Sequence, residues 1–320
     1  MDDRVRTLRC LVLVAALCLP GAAPAQQQNP LRIATLHWYG ANQTTSFAVG
    51  DGPWGIAFDG ANIWVANAGS NTVNKMRASD GEVLGTFFVL GAATGIAFDG
   101  ANIWVANSYP FNSSVTKLRA SDGIALGTFT VGPGVGPLGL AFDGANIWAA
   151  NNGSNNVTKL RAADGAVLGT FPVGTAPTNL VFDGANIWAA NYFSNNVTKL
   201  RASDGAVLGT FAVGANPWGI AFDGTNIWVT NNGSNNVTRL RACDGHNSGT
   251  FTVGSGPLGI AFDGVNVWVG NSGSNTVTKL RASDGAARGV FAAGTNPYSL
   301  AFDGANIWVA NNGSDDVSKL

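Results

Sequence analysis

The chain has 320 residues, of which 46% are hydrophobic and only 12% charged, and its formal net charge is -1 at pH 7. No basic run interrupts it, so the electrostatic footprint of nucleic-acid binding is absent. Cys10 and Cys18 lie in an N-terminal leader and leave Cys243 as the only other cysteine, so an internal disulfide is excluded and a packed core must supply the stability.

The leader comes first in the chain. Arg4, Arg6 and Arg9 precede an apolar run over residues 10–19, and Ala23-Pro24-Ala25 offers an A-x-A cleavage site. The run is too short to span a bilayer and no longer one follows. The expectation is a signal peptide over residues 1–25, a mature start near Gln26, and a secreted or periplasmic protein without a membrane span. Residues 26–43 form a lead-in, whose stretch 31–39 has no counterpart elsewhere in the chain.

From residue 44 to 320 the sequence repeats. FDGANIW or a close variant occurs seven times, with aspartates at Asp59, Asp99, Asp143, Asp183, Asp223, Asp263 and Asp303. A period near 40 residues signals stacked supersecondary units that bury their apolar faces against neighbours. The unit beginning near Thr175 shows the internal pattern. Short runs ending in Phe182 and Ala190, an alternating run from Val197, and a last run ending in Val213 are separated by Asp183-Gly184, an Asn-rich turn and Asp204-Gly205. Four short runs rich in Val, Ile, Thr, Phe and Trp, joined by such turns, predict one antiparallel four-stranded sheet. Each sheet is apolar on both faces, which requires a sheet on either side.

The expected fold is all-β: a seven-bladed β-propeller of four-stranded antiparallel blades. The seventh unit stops at Leu320 within its third strand. Ser46-Phe47-Ala48-Val49-Gly50 matches the fourth-strand ending Thr210-Phe211-Ala212-Val213-Gly214, so the N-terminal strand is expected to complete the C-terminal blade and close the ring.

The run from Trp228 to Val237, WVTNNGSNNV, resembles the YVTN-type propeller repeat, and the segment from Val213 to Ala221 resembles that family's V-G-x-x-P-x-G-I-A linker. YncE-like periplasmic proteins and the streptogramin (virginiamycin B) lyases share this look. The resemblance implies a seven-bladed propeller, and it makes a metal-dependent small-molecule lyase or hydrolase the alternative function. Those lyases are understood to use a metal with histidine and glutamate groups on the central face. Here no repeat position offers a His-Glu set: Glu82 is the only glutamate, His37 lies outside the repeats, and His246 falls in a turn on the opposite side.

Most charged residues recur in every unit, whereas a catalytic site places unlike groups together. The FDG aspartates read as turn formers whose carboxylates cap backbone N–H groups. The periodic bases, such as Lys159 and Arg161, read as strand-edge solvation. Cys243 and His246 have the spacing of half a metal site but no further cysteine to complete it. The Asp-Gly-x-x-Leu-Gly-Thr-Phe stretches lack the Thr-Gly-Lys core of quinone-cofactor propellers. No catalytic residue, metal or cofactor is assigned.

Variation concentrates on the face that carries the inter-blade linkers. Trp54, Thr94, Leu138, Thr178, Trp218, Leu258 and Tyr298 occupy equivalent positions, two extra residues give Tyr109-Pro110-Phe111, and Tyr192-Phe193 replaces Asn-Gly. The expected ligand-binding set is Trp54, Tyr109, Phe111, Tyr192, Phe193, Trp218 and Tyr298, with Tyr192, Phe193 and Trp218 close together. Rigid aromatics among amides suit a small molecule, a glycan or a protein surface. The alternative is that the linker aromatics plug the channel mouth. Asn67, Asn107, Asn151, Asn191, Asn231, Asn271 and Asn311 end the second strands, and their amides are expected to satisfy turn backbone. The chain is expected to be a monomeric, non-catalytic binding or scaffold module.

Overall fold

The computed structural model describes residues 45–108, 113–132 and 136–320. The leader, the lead-in with His37, and the insertion residues Tyr109 and Phe111 lie outside the described residues. What is described is all-β, in seven separate four-stranded antiparallel sheets. In the fourth blade the strands are Pro177–Phe182, Asn186–Asn191, Asn196–Arg201 and Val207–Ala212. They pair in sequence order, and the first pairing is irregular between Pro177 and Leu180.

The ring closes as the repeat pattern predicts. Ser46–Ala48 pairs antiparallel with Asp316–Lys319, which pairs with Ile307–Asn311, which pairs with Pro297–Phe302. The register sets Phe47 opposite Val317. Phe47 stacks on Trp308 at 5.5 Å, as Phe171 stacks on Trp148 at 5.5 Å in the third blade.

Alternation along the strands explains the stacking of blades. Trp148, Ala150 and Val157 of the third blade pack on Leu180, Ile187, Ala189 and Leu200 of the fourth. The large side chains of one sheet meet small ones of the next, which is how two-sided burial fills without voids. Each interface has its own cluster of this kind, and Ile56, Ile63, Val65 and Met76 close the circle against Trp308, Ala310 and Val317. Around the axis the first strands approach even more closely. A Cβ on Gly219 would lie 2.2 Å from the Leu258 carbonyl oxygen, so only glycine fits there.

Two faces follow from this topology. The turns between first and second strands meet those between third and fourth, as in Ala202 N–H donating to the Ala185 carbonyl. The linkers meet the turns between second and third strands, as in Tyr192 N–H donating to the Ala176 carbonyl. The left-handed residues Asn155, Asn195, Asn235 and Asn275 stitch that second face together. The Asn195 side chain, for example, accepts from Asn216 N–H of the next linker at 2.9 Å.

Candidate functional site: the linker face

The repeated charges are consumed in holding the blades. Asp183 accepts from Ala185 N–H, Asn186 N–H, the Asn186 amide and the indole Nε1–H of Trp188, the last at 2.7 Å. The aspartates were expected to cap backbone N–H groups, and they do. The sequence reading missed the indole, although the fixed five-residue spacing from Asp to Trp was visible. Burial is the strongest single influence on Asp183 and favours the protonated form, but the hydrogen bonds from Trp188, Asn186 and the backbone outweigh it and hold the carboxyl below its ordinary value. The same balance holds at Asp59, Asp99, Asp143, Asp263 and Asp303.

The strand-three lysines are not solvation groups, which corrects the reading of the periodic bases. Lys159 is 7% exposed. Its Nζ sits 5.0 Å from the centroid of the Trp148 ring and donates to the Ala202 and Ser203 carbonyls of the next blade. A buried ammonium is tolerable because the carbonyls and the ring face replace its water. Lys319 closes this series by reaching Ala78 and Ser79 of the first blade. Arg161 and its equivalents pair with the aspartates of the third-to-fourth-strand turns, as Arg161 does with Asp164 at 2.9 Å.

The asparagine ring also differs from expectation. Asn191 is fully buried, and its amide donates to Asn196 Oδ1 and Thr198 Oγ1, side chains of the third strand rather than turn backbone. The ring is therefore internal and presents no rim.

The linker face carries the departures from symmetry. The aromatic residues are second in their strands, so the inner strands themselves hold them at the mouth of the axial channel. Trp54 and Tyr298 lie 4.3 Å apart between ring centroids, and Trp218 lies 6.3 Å from Trp54 and 5.7 Å from Tyr298. Tyr192 meets the Trp218 ring edge-on at 5.6 Å and Phe193 at 5.0 Å. The predicted neighbours Tyr192, Phe193 and Trp218 are thus together. Phe193 is 68% exposed at the outer end of this chain of rings. Burial, and after it the nearness of Tyr192, push the Tyr298 phenol well above its ordinary pKa.

Beneath the three central rings the channel encloses about 80 Å³, walled by Ile56, Ile96, Leu140, Ile220 and Ile260. Its inner glycine position is Asn179 in the fourth blade and Ser299 in the seventh. Aligning that column would have revealed both in the sequence. Thr94 and Thr178, equivalent to Trp54, are buried and donate to backbone carbonyls, so they add nothing to the face.

Elsewhere, Cys243 is an exposed free thiol in the turn that holds His246. Among the described residues no group of three or more His, Cys, Asp or Glu side chains is placed to hold a metal ion. No helix among them is long and apolar enough to cross a membrane.

No family model matches this sequence, and no curated protein matches it. Solved structures do. A hydrazine synthase chain of Kuenenia stuttgartiensis superposes with a TM-score of 0.76 at 20% identity, over 84% of this chain and 95% of that one. A streptogramin B lyase gives 0.72 at 19%, over 86% and 95%. The virginiamycin B lyase from Staphylococcus aureus gives 0.72 at 19%, over 87% and 96%. At these identities the likeness is one of fold, and the fold shared is the seven-bladed propeller.

Proposed function

We propose that the chain is an exported, non-catalytic binding module that captures its ligand on the linker face. One observation carries this reading: five aromatic rings, Phe193, Tyr192, Trp218, Tyr298 and Trp54, form a continuous chain from the exposed rim to the channel mouth. The repeated charged residues are here engaged in contacts within blades, as at Asp183 and Arg161, and between them, as at Lys159. Tilted and edge-on rings give a rigid apolar surface that binds at low entropic cost. The leader supports export, to the periplasm or outside the cell.

Screening the protein against glycan and peptide arrays tests this. Trp218→Ala combined with Tyr192→Ala is expected to abolish the signals of the native protein while melting stays within a few degrees. Identical array profiles for both proteins would refute the reading.

The structural likeness to streptogramin B lyases favours a second reading, a small-molecule lyase. Loss of a streptogramin B antibiotic in the presence of the protein and an added divalent metal would establish it.

A further inference from the structure

We propose that the linker face selects organic ammonium groups, quaternary or protonated amines, and takes them at the seam between the seventh and first blades. This rests on the reading of that face as a binding surface. The first observation is a segregation of charge. All fourteen basic residues described lie on third strands, on the turns that follow them, or at Arg288, toward the face opposite the linkers. Fourteen of the seventeen acidic residues described share that end, so it is balanced. The other three, Asp51, Asp315 and Asp316, belong to the linker face, where no described residue is basic.

The second observation is that these three acids and two of the rings belong to one seam, between the seventh and first blades. Asp315 and Asp316 stand where the fourth and fifth blades have two asparagines, and Asp51 stands where they have Thr175 and Ala215. Asp315 keeps the left-handed turn, with φ 53°, and accepts from Gly52 N–H at 2.8 Å. The Asp51 carbonyl accepts from Gly69 N–H, while its exposed carboxylate accepts from no described group. Trp54, three residues after Asp51, packs against Tyr298 across this same seam, the ring centroids 4.3 Å apart and the planes tilted by 48°. A π surface that shares its seam with carboxylates, on a face without a described base, attracts a cation twice over, through the ring quadrupole and through charge. Neutral glycans or acidic ligands gain nothing from the second term.

The test compares choline with its neutral isostere 3,3-dimethylbutan-1-ol by calorimetry and by indole NMR shifts. Choline is expected to bind about tenfold more tightly, the ratio that a partly desolvated cation–π contact gives, and to weaken as salt is raised toward a Debye length of about 3 Å. Asp51→Asn with Asp315→Asn should cut that preference several-fold and flatten its salt dependence, leaving the share the ring faces supply. Folding should survive, since asparagine is the residue other turns use at position 315. Trp54→Leu, which copies the equivalent Leu138 and Leu258, should weaken both probes. Equal affinities in the native protein, or a preference undiminished in the double asparagine variant, would overturn ammonium selectivity at this seam and leave the aromatic binding face standing. Binding of neither probe while the arrays return a neutral ligand overturns it too. Silence in both experiments removes the binding face as well.

Discussion

The indole N–H of Trp188 donates to the Asp183 carboxylate at 2.7 Å, and the same clasp recurs in every blade. Each clasp ties a buried ring to the turn five residues before it. Asp183→Ala should therefore cost more than an exposed Asp-Gly turn would suggest. It strands the indole N–H of a fully buried Trp188, a loss of about 1–3 kcal/mol. Denaturant unfolding of Asp183→Ala beside the exposed-turn variant Asp204→Ala measures the difference, which vanishes if the clasp is idle.

Acid should unfold the ring. The carboxyls of Asp59, Asp99, Asp143, Asp183, Asp263 and Asp303 are held below their ordinary value in the folded state. A carboxyl depressed by folding stabilises above its unfolded pKa, near 3.9, and that stability is lost as pH falls through the folded pKa. The melting temperature should thus be level down to about pH 5 and fall steadily below pH 4. Asp284, paired with Arg281 and lowered to about 2, shares the sign, but its exposure makes it a minor contributor. A flat melting profile down to pH 2 would contradict this.

The lysines offer an internal control. Lys159 gives its ammonium to two carbonyls as well as to Trp148, whereas Lys279 contacts the Trp268 ring at 4.4 Å and donates to no described carbonyl. Lys159→Met leaves the acceptor at buried Ala202 and the partly buried one at Ser203 without their ammonium, and Lys279→Met strands no such acceptor. The first should be the more destabilising by about 1 kcal/mol, read as a gap in denaturation midpoints. Equal midpoints would show that the carbonyl contacts add nothing.

Ring closure can be weighed in the same way. Phe47 and Phe171 occupy equivalent places, each against a buried tryptophan and a turn glycine, Gly81 and Gly205. Phe47→Ala and Phe171→Ala, both partly buried, should cost similar amounts, at or below the about 3–5 kcal/mol of a fully buried Phe. A much smaller loss at position 47 would show that the N-terminal strand contributes little to closure.

The architecture was legible because its causes are local and repeated seven times. Period, turn chemistry and two-sided apolar strands each point to stacked four-stranded sheets, and the Ser46-Phe47-Ala48-Val49-Gly50 match identified the closing strand. Side-chain partners were less legible. Lys159 reads as a solvated base until the next blade's carbonyls come into reach, 43 residues away in sequence. Asn191 looks like a turn residue until the third strand brings Thr198 against it. At the linker face the aromatic residues could be named from symmetry breaks, and Tyr192 and Trp218 do meet. Convergence of Asp51 with Asp315 spans the whole chain and needs the closed circle to become visible.

Closure of that circle has one more implication. Ser46–Ala48 completes a blade using nearly the same letters that five other fourth strands use, so a strand from a neighbouring molecule would fit the vacated edge equally well. Only the tether favours the intramolecular partner, by keeping it at millimolar local concentration. Refolding at comparable protein concentrations should therefore yield exchanged dimers, two rings each borrowing the other's first strand.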